Sequence, residues 1–175
     1  MKVGAWENDM FIGVIVFSRG ATPHIGTPYK LEQTKVCELT RVALRDHKCF
    51  VSEILSKAIK LLKDLCPSMR LIISFADSDQ NHHGGIYQAT NWMYTGTTKC
   101  ERYFIIHGKR THRKSIHAKY GYGAQQLTWI QENIDPKAAL LITGVKHKYL
   151  MPLDKKMRKQ ILPLALPYPK LDLQK

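Results

Sequence analysis

The order of apolar and polar residues predicts alternating strands and helices in the first part of the chain. Residues 10–17 (MFIGVIVF) form a continuous apolar run rich in β-branched and aromatic side chains, which predicts a buried strand. In Val51–Leu65, apolar residues recur at steps of three and four, which predicts a helix that ends before Pro67. Further strands are predicted at Val36–Leu44, 71–76 and 102–107, and a second, short helix at 85–92.

This order of strand, strand, helix, strand, helix, strand is typical of an α/β protein. The connection through the Val51–Leu65 helix predicts that the strands before and after it run parallel. Beyond residue 109 the regular pattern fades into a basic run (KRTHRKSIHAK) and a glycine-rich aromatic turn (YGYG). We therefore expect a core in residues 1–108 and a basic C-terminal extension in residues 109–175, packed together as one compact domain.

Hydropathy and cysteine spacing favour a cytoplasmic protein. No apolar run approaches the roughly 18 residues that a membrane span requires. Glu7 and Asp9 precede the apolar run at 10–17, and no small-residue cleavage site follows it, so a signal peptide is not predicted. The four cysteines form no CxxC pair, which favours reduced thiols.

Charge is distributed unevenly along the 175 residues, whose net charge is +13. Residues 1–98 contain 11 basic and 9 acidic residues, whereas residues 99–175 contain 16 basic and 5 acidic residues. One sign of charge dominates the second part, which predicts a surface for a polyanion rather than charge for solubility alone. Nucleic acid is favoured over a membrane, because no basic amphipathic helix with an exposed apolar face stands out.

The basic run and the tyrosines after it are the candidate nucleic-acid contacts. Phosphate contacts are expected from Lys109, Arg110, Arg113, Lys114 and Lys119. Glycines flank Tyr120 and Tyr122, which makes these rings candidates to stack on a base flipped out of the duplex.

Two residues near predicted strand and helix ends are candidates for acid–base chemistry. Asp77 ends a buried strand, where ligands collect in open α/β sheets, and it either acts on an amine or caps the following turn. Tyr87 lies in the first turn of the helix after Gly84 and Gly85, and a phenol can protonate a leaving group. The adjacent histidines before this helix form no HxxxH or HExxH motif, so no metal site is predicted.

The strand, loop and helix over residues 36–65 form a pattern that can hold an anion at a helix N-terminus. Ser52 is the candidate to contact a phosphate there. The alternative is that Ser52 is an ordinary cap on an ordinary crossover helix.

Several short segments form a recognisable set: FSRGA at 17–21, ELTRVAL at 38–44, VS at 51–52, SFAD at 74–77 and GIYQATNW at 85–92. This set resembles N-acyltransferases of the GNAT type and, more closely, the Mom DNA-modification proteins of Mu-like phages. The tail agrees with the resemblance at Tyr149, 152–153, Arg158 and 167–170.

The resemblance implies a GNAT-like fold with a mixed central sheet flanked by helices. It also implies a phage enzyme that converts adenine in DNA to its N6-carbamoylmethyl derivative and so protects the DNA from host restriction enzymes. Asp77 and Tyr87 match the proposed catalytic residues of the family. The positions where GNAT proteins hold the acyl-CoA are Arg41, Val42, Leu44 and Ser52.

The implied partners are double-stranded DNA and a small-molecule donor, which is acetyl-CoA or another acyl or glycyl carrier. The sequence gives no support for a bound iron. The resemblance leaves open whether the protein forms a homodimer, and it implies the cytoplasm of the bacterial host as the location. GNAT proteins wrap the CoA pyrophosphate with a glycine-containing loop, but residues 47–52 (HKCFVS) contain no glycine. Longer Mom proteins also have an N-terminal His-Tyr pair, and we expect this sequence to begin after that point.

Two other functions remain open at this stage. A conventional acetyl-CoA-dependent N-acetyltransferase acting on a protein or small molecule would bind acetyl-CoA tightly without DNA. A non-enzymatic DNA-binding module would need its basic residues but not Asp77 or Tyr87.

Overall fold

The computed structural model describes residues 1–169. Residues 170–175 lie outside the described part, and they include Lys170, the last residue of the segment 167–170 named above. The strands are β1 (Lys2–Glu7), β2 (Met10–Ser18), β3 (Val36–Leu44), β4 (Leu71–Asp77), β5 (Met93–Thr97), β6 (Arg102–Ile106), β7 (Lys109–His112), β8 (Ala139–Ile142) and β9 (Lys146–Pro152). The helices are α1 (Val51–Leu65), α2 (Gly85–Ala89), α3 (Arg113–Tyr120), α4 (Leu127–Asn133) and α5 (Lys155–Ile161). A six-stranded sheet has the order β1-β2-β3-β4-β9-β5, and a three-stranded sheet has the order β7-β6-β8.

The predicted α/β class and mixed sheet are confirmed. Strand β3 and helix α1 have the predicted bounds, and β2 and β4 each extend one residue further than predicted. Helix α2 is shorter than predicted, and Asn91, just beyond it, has a left-handed φ of 59°. Strand β6 ends one residue early because His107 and Gly108 have positive φ values in the turn that follows. Strands β1, β5, β7, β8 and β9 were not predicted.

Strands β3 and β4 run parallel, as predicted, but they pair over only a short stretch. Residues 36–38 of β3 align with residues 71–73 of β4. Beyond this point β3 remains paired with β2 as far as Leu44, and β4 remains paired with β9 as far as Asp77. The gap between β3 and β4 therefore opens at their C-terminal ends, which is where open α/β sheets bind ligands.

Strand β9 is the main departure from the expected organisation, because no strand was predicted within residues 146–170. It lies between β4 and β5, antiparallel to both, with Tyr149 and Leu150 fully buried. The segment expected as a C-terminal extension thus supplies a strand to the sheet formed by residues 1–108. The division of the chain at residue 108 stays a prediction.

Both faces of the larger sheet are covered. On one face, Leu55 and Leu62 of α1 pack in a core cluster with Ile72 of β4 and with Trp92. On the other face, Met157 of α5 packs with the interior strands. Neither α1 nor any other helix within residues 1–169 combines the length and the apolar character that crossing a membrane demands.

The chain between β5 and β9 forms a separate unit, which we call the inserted module (residues 102–142). It contains the smaller sheet, α3 and α4, and its own core is built around Phe104, Ile116 and Ile130. All seven predicted nucleic-acid contacts lie in this module.

The turn after β4 is hydrogen-bonded to residues 144–145, the segment between the inserted module and β9. The Ser78 hydroxyl donates to Val145 O at 2.6 Å, and the Asp79 carboxylate accepts from Gly144 N at 2.9 Å. The turn therefore fixes the segment through which the chain passes from the module into β9.

One ion pair connects the start of β4 to the start of α5. Arg70 donates to both carboxylate oxygens of Asp154, at 2.8 and 3.0 Å, and Asp154 also accepts from Met157 N at 2.7 Å as the cap of α5. The Arg70 guanidinium lowers the pKa of Asp154 from its usual 3.8 to about 2.

We predict that Asp154→Asn destabilises the protein at pH 7, and that the difference from wild type shrinks as the pH falls. The folded-state pKa of Asp154 is below the unfolded-state value, so the stabilisation is present above pH 3.8 and is lost as the pH falls toward 2. Because the side chain is 39% exposed, solvent screening reduces the expected effect to about 1 kcal/mol. Urea unfolding at several pH values measures this difference.

Asparagine can still cap α5, so this variant isolates the pairing with Arg70. The exposed Asp64, replaced by Asn, is the matched control. A destabilisation that stays constant from pH 7 down to the acid limit of the folded protein would contradict this explanation.

Candidate functional site

A cavity of about 320 Å³ opens beside the C-terminal end of β4. Its walls come from β4, the loop after it and the first turn of α2. The side chains that give the cavity its character are Phe75, Asn81, His82, His83, Ile86 and Tyr87. This mixture of aromatic, apolar and hydrogen-bonding groups suits a small aromatic ligand.

Tyr149 of β9 holds the loop that carries His83. The Tyr149 hydroxyl donates to His83 O at 2.5 Å, and Gln88 of α2 donates to the Tyr149 hydroxyl at 3.2 Å. Gly84 has a φ of 85°, and a Cβ at this position would collide with the Tyr149 ring. The loop is therefore held rigidly by contacts that only glycine permits at residue 84.

Tyr87 lies in the core at the point where β3 and β4 part. Its ring packs between Trp92 and Tyr149, with each pair of ring centroids 5.0 Å apart. The Ser74 Oγ lies 2.7 Å from Leu39 O and 2.8 Å from the Tyr87 hydroxyl oxygen. A serine has one proton and a carbonyl only accepts, so Ser74 donates to Leu39 when the Tyr87 phenol donates to Ser74.

Burial raises the pKa of Tyr87, which outweighs the opposite effect of the Ser74 hydrogen bond. The phenol is therefore fully protonated at neutral pH. It can donate a proton, but it is not a base.

A second polar pair lies next to Tyr149. The Tyr94 hydroxyl oxygen is 3.2 Å from Nδ1 of His147, and the Tyr94 and Tyr149 ring centroids are 5.3 Å apart. Burial, together with the nearby His83, lowers the pKa of His147. The imidazole is thus neutral at physiological pH. Sequence reasoning missed this pair and the contact of Tyr149 with the loop.

The structure does not bring Asp77 and Tyr87 together in one cavity. Across β4 and β9, Ser74 aligns with Tyr149 and Asp77 aligns with Lys146. Alternation along β4 therefore places Asp77 on the face opposite Ser74, and Asp77 is absent from the described residues that line the cavity. The Asp77 carboxylate accepts from Asp79 N at 3.0 Å and so caps the turn after β4, as the capping alternative expects.

The residues expected to hold acyl-CoA lie on β3 and α1. Arg41, Val42 and Leu44 follow the point where β3 parts from β4, and Arg41 is exposed. The expectation that Ser52 caps α1 was wrong, because the N-cap position is Phe50 and no side chain caps this helix.

The loop before α1 already binds an anionic group of the protein itself. The Glu7 carboxylate accepts from Lys48 N at 3.0 Å and from Cys49 N at 2.8 Å. These backbone hydrogen bonds lower the pKa of Glu7, so the carboxylate is ionised. A pyrophosphate at this loop would meet a negative charge, and residues 47–52 contain no glycine to let it approach. The residues present therefore do not fit a CoA pyrophosphate bound in this way.

The predicted nucleic-acid contacts are all exposed, but they differ in their surroundings. The Arg110 guanidinium lies 3.9 Å from the ring centroid of Tyr103. Tyr120 packs against Trp129 with centroids 5.7 Å apart, whereas Tyr122 is 95% exposed. Lys109 is on β7, and the other three cations are on α3. Within residues 1–169, no three His, Cys, Asp or Glu side chains converge in a way that could hold a metal ion.

Comparison with known proteins gives two findings. The family model of the Mom protein family matches residues 1–170. The methylcarbamoylase mom of Escherichia phage Mu is 27% identical over 177 residues, a match that covers 97% of this chain and 72% of the phage Mu protein.

We predict that Ser74→Ala lowers the free energy of unfolding by roughly 1–3 kcal/mol, because it leaves Leu39 O without a partner in the core. Urea denaturation measures the change. Ser56→Ala is the control, since Ser56 makes a similar hydrogen bond to Ser52 O on the exposed side of α1. Equal effects of the two substitutions would contradict a special role for Ser74.

We also predict that the protein shows no saturable binding of acetyl-CoA at concentrations up to about 1 mM, because the Glu7 carboxylate occupies the loop amides. Isothermal titration calorimetry with the full chain measures this. Saturable binding in the micromolar range would contradict the prediction and favour the conventional acetyltransferase.

Proposed function

The chain belongs to the Mom protein family, and we propose on this premise that it modifies DNA by converting adenine to its N6-carbamoylmethyl derivative. The name of the similar phage Mu protein, a methylcarbamoylase, supports this class of reaction. The proposed role is to protect phage DNA from restriction enzymes in the cytoplasm of the bacterial host.

The observation that supports the proposal most is a cavity with aromatic walls at the end of β4, beside which the chain returns from a basic module. The 320 Å³ cavity at the end of β4 has the size and the lining for one flipped base. The turn at Ser78 and Asp79 holds residues 144–145, through which the chain leaves the inserted module, next to that end of β4. In the proposed complex the module contacts DNA phosphates while an adenine, unstacked at a cost of a few kcal/mol, enters the cavity.

The proposed reaction forms one bond and breaks another. Adenine N6 forms a bond to the methylene carbon of the transferred group and loses one proton. The bond between that group and its carrier breaks, and the carrier leaves with the electron pair and takes up a proton. The amine is a poor nucleophile because its lone pair is delocalised into the ring, so positioning supplies most of the catalysis.

In this proposal Tyr87 gives the proton to the leaving carrier. Its buried phenol is protonated at neutral pH. When Tyr87 has given up its proton, Ser74 can turn its own proton from Leu39 O to the phenolate, 2.8 Å away. This exchange stabilises the charge that forms on Tyr87.

Asp77 is the proposed group that orients or deprotonates the adenine amine. Asp77 does not line the cavity, but it stands at the last position of β4, directly after Ala76 of the cavity wall, so the proposal places the adenine amine at the edge of the cavity. Its hydrogen bond with Asp79 N occupies one carboxylate oxygen and leaves the other for the substrate.

We propose a GNAT-like fold for this chemistry, supported by the mixed sheet and by the parallel strands β3 and β4 that α1 connects. The donor enters along β3 beyond its separation from β4, where backbone amides around Val42 and Leu44 hydrogen-bond the carbonyl oxygen next to the reacting methylene carbon. Glu7 at the loop before α1 argues for an acyl or glycyl donor other than CoA.

We predict that plasmid DNA from bacteria expressing this chain contains carbamoylmethylated deoxyadenosine, and that Asp77→Asn or Tyr87→Phe lowers its amount at least about 100-fold. Each substitution removes one acid–base group and preserves the shape of the side chain. Mass spectrometry of nucleosides measures the modification, and circular dichroism checks that each variant folds.

Asp64→Asn, an exposed change on α1, is the matched control and should leave modification intact. A fully active Asp77→Asn protein would remove Asp77 from the mechanism. If the DNA stays unmodified, with folded protein and donor present, the chemistry is wrong and a DNA-binding module is the better description.

A further inference from the structure

The inserted module contains a second cavity, separate from the one at the end of β4. Its volume is about 410 Å³, and it lies between β7, α3 and the end of α4. The polar groups that line it are His107, Lys109, Thr111, Ser115, Lys119 and Tyr120. The apolar part of its wall includes Ile116, which belongs to the core of the module.

The lining of the cavity contains two lysines and no carboxylate, and the Asp135 carboxylate lies behind it, 3.6 Å from Nδ1 of the lining residue His107. Within residues 1–169, neither Lys109 nor Lys119 forms an ion pair with an acidic side chain. Asp135, a nearby carboxylate, accepts from His107 N at 2.6 Å and from Lys137 N at 2.9 Å. Both lysines are therefore free to bind an anion.

An aromatic ring lies at the edge of the same cavity. Tyr120 packs against Trp129 and is still 42% exposed, so the ring is supported and part of it is free to stack. The Lys119 ammonium lies 5.0 Å from the ring centroid, which keeps cation and ring together. The hydroxyls of Thr111 and Ser115 add hydrogen-bonding groups beside them.

We propose that this cavity binds one unstacked nucleotide. Lys109 and Lys119 bind the phosphate, the two hydroxyls bind the phosphate or sugar oxygens, and Tyr120 stacks on the base. That this nucleotide belongs to the DNA strand carrying the target adenine rests on the proposed function. The chemistry of the cavity suits a free nucleotide equally well.

The proposal separates the predicted nucleic-acid contacts into two groups. Lys109, Lys119 and Tyr120 line the cavity, whereas Arg110 and Tyr122 do not. Arg110 stacks on Tyr103, and Tyr122 is almost fully exposed. Arg110 and Tyr122 thus provide matched controls of the same charge and ring type, in the same module.

The test is a fluorescence titration of the full chain with a single-stranded oligodeoxynucleotide that contains 2-aminopurine. Tyr120→Leu should weaken binding about tenfold and reduce the quenching, whereas Tyr120→Phe should retain both because the ring remains. The double variant Lys109→Gln and Lys119→Gln should reduce the magnitude of the negative slope of log affinity against log salt concentration by roughly 1.4. Tyr122→Leu and Arg110→Gln should both leave the quenching unchanged, because neither side chain lines the cavity.

A parallel titration with deoxyadenosine monophosphate identifies the source of the nucleotide. Saturable binding that depends on Tyr120 and the two lysines supports a pocket open to free nucleotides, and binding of the oligonucleotide alone supports a pocket for a DNA strand. If the cavity variants bind both probes as wild type does, or if wild type binds neither, the proposal is overturned. If the wild-type protein binds the nucleotide through this cavity but does not modify DNA, the proposed function is contradicted and the proposal for this cavity is still supported.

Discussion

The separation of β3 from β4 is the constraint on which the rest of this structure depends. After three aligned positions the strands part, and the buried carbonyl of Leu39 loses the backbone donor that a continuing ladder would supply. Ser74 supplies a hydroxyl in its place, and the same hydroxyl contacts Tyr87. Ser74 therefore supplies the hydrogen-bond donor that Leu39 O needs where the strands part, and it connects this point to α2, the helix that lines the cavity. Without this contact, the gap between the strands would leave a polar atom without a partner in the core.

The second feature that determines the architecture is the position of β9, which is the last strand in sequence but lies inside the larger sheet. Because β9 lies between β4 and β5, the chain must leave the sheet after β5 and return to it, and the inserted module is built in that excursion. The return also brings Tyr149 against Gly84 and His83, which fixes the wall of the cavity. The segment that leads from the module into β9 is thus held beside the end of β4 by the turn at Ser78 and Asp79.

These features explain which parts could be predicted from the sequence. Val51–Leu65 was predicted with its bounds because an amphipathic stripe and a following proline are local signals. Strand β9 was missed because it begins Lys-His-Lys and has only three apolar residues before Pro152, and its burial is decided by two distant strands. Asp77 was predicted at the end of β4 and Tyr87 in the first turn of α2, but only the register with β9 shows that Asp77 and Ser74 are on opposite faces. The contact of Glu7 with Cys49, 42 residues apart, has no local signal.

The central claim is that one duplex engages the cavity at the end of β4 and the inserted module at the same time. Hydrogen–deuterium exchange of the full chain, with and without duplex DNA, tests it most directly. We expect slower exchange in residues 81–87, which line the cavity, together with residues 109–120 of the module. Protection of the module alone, with exchange in residues 81–87 unchanged, would contradict the claim and leave a DNA-binding protein whose cavity serves something else.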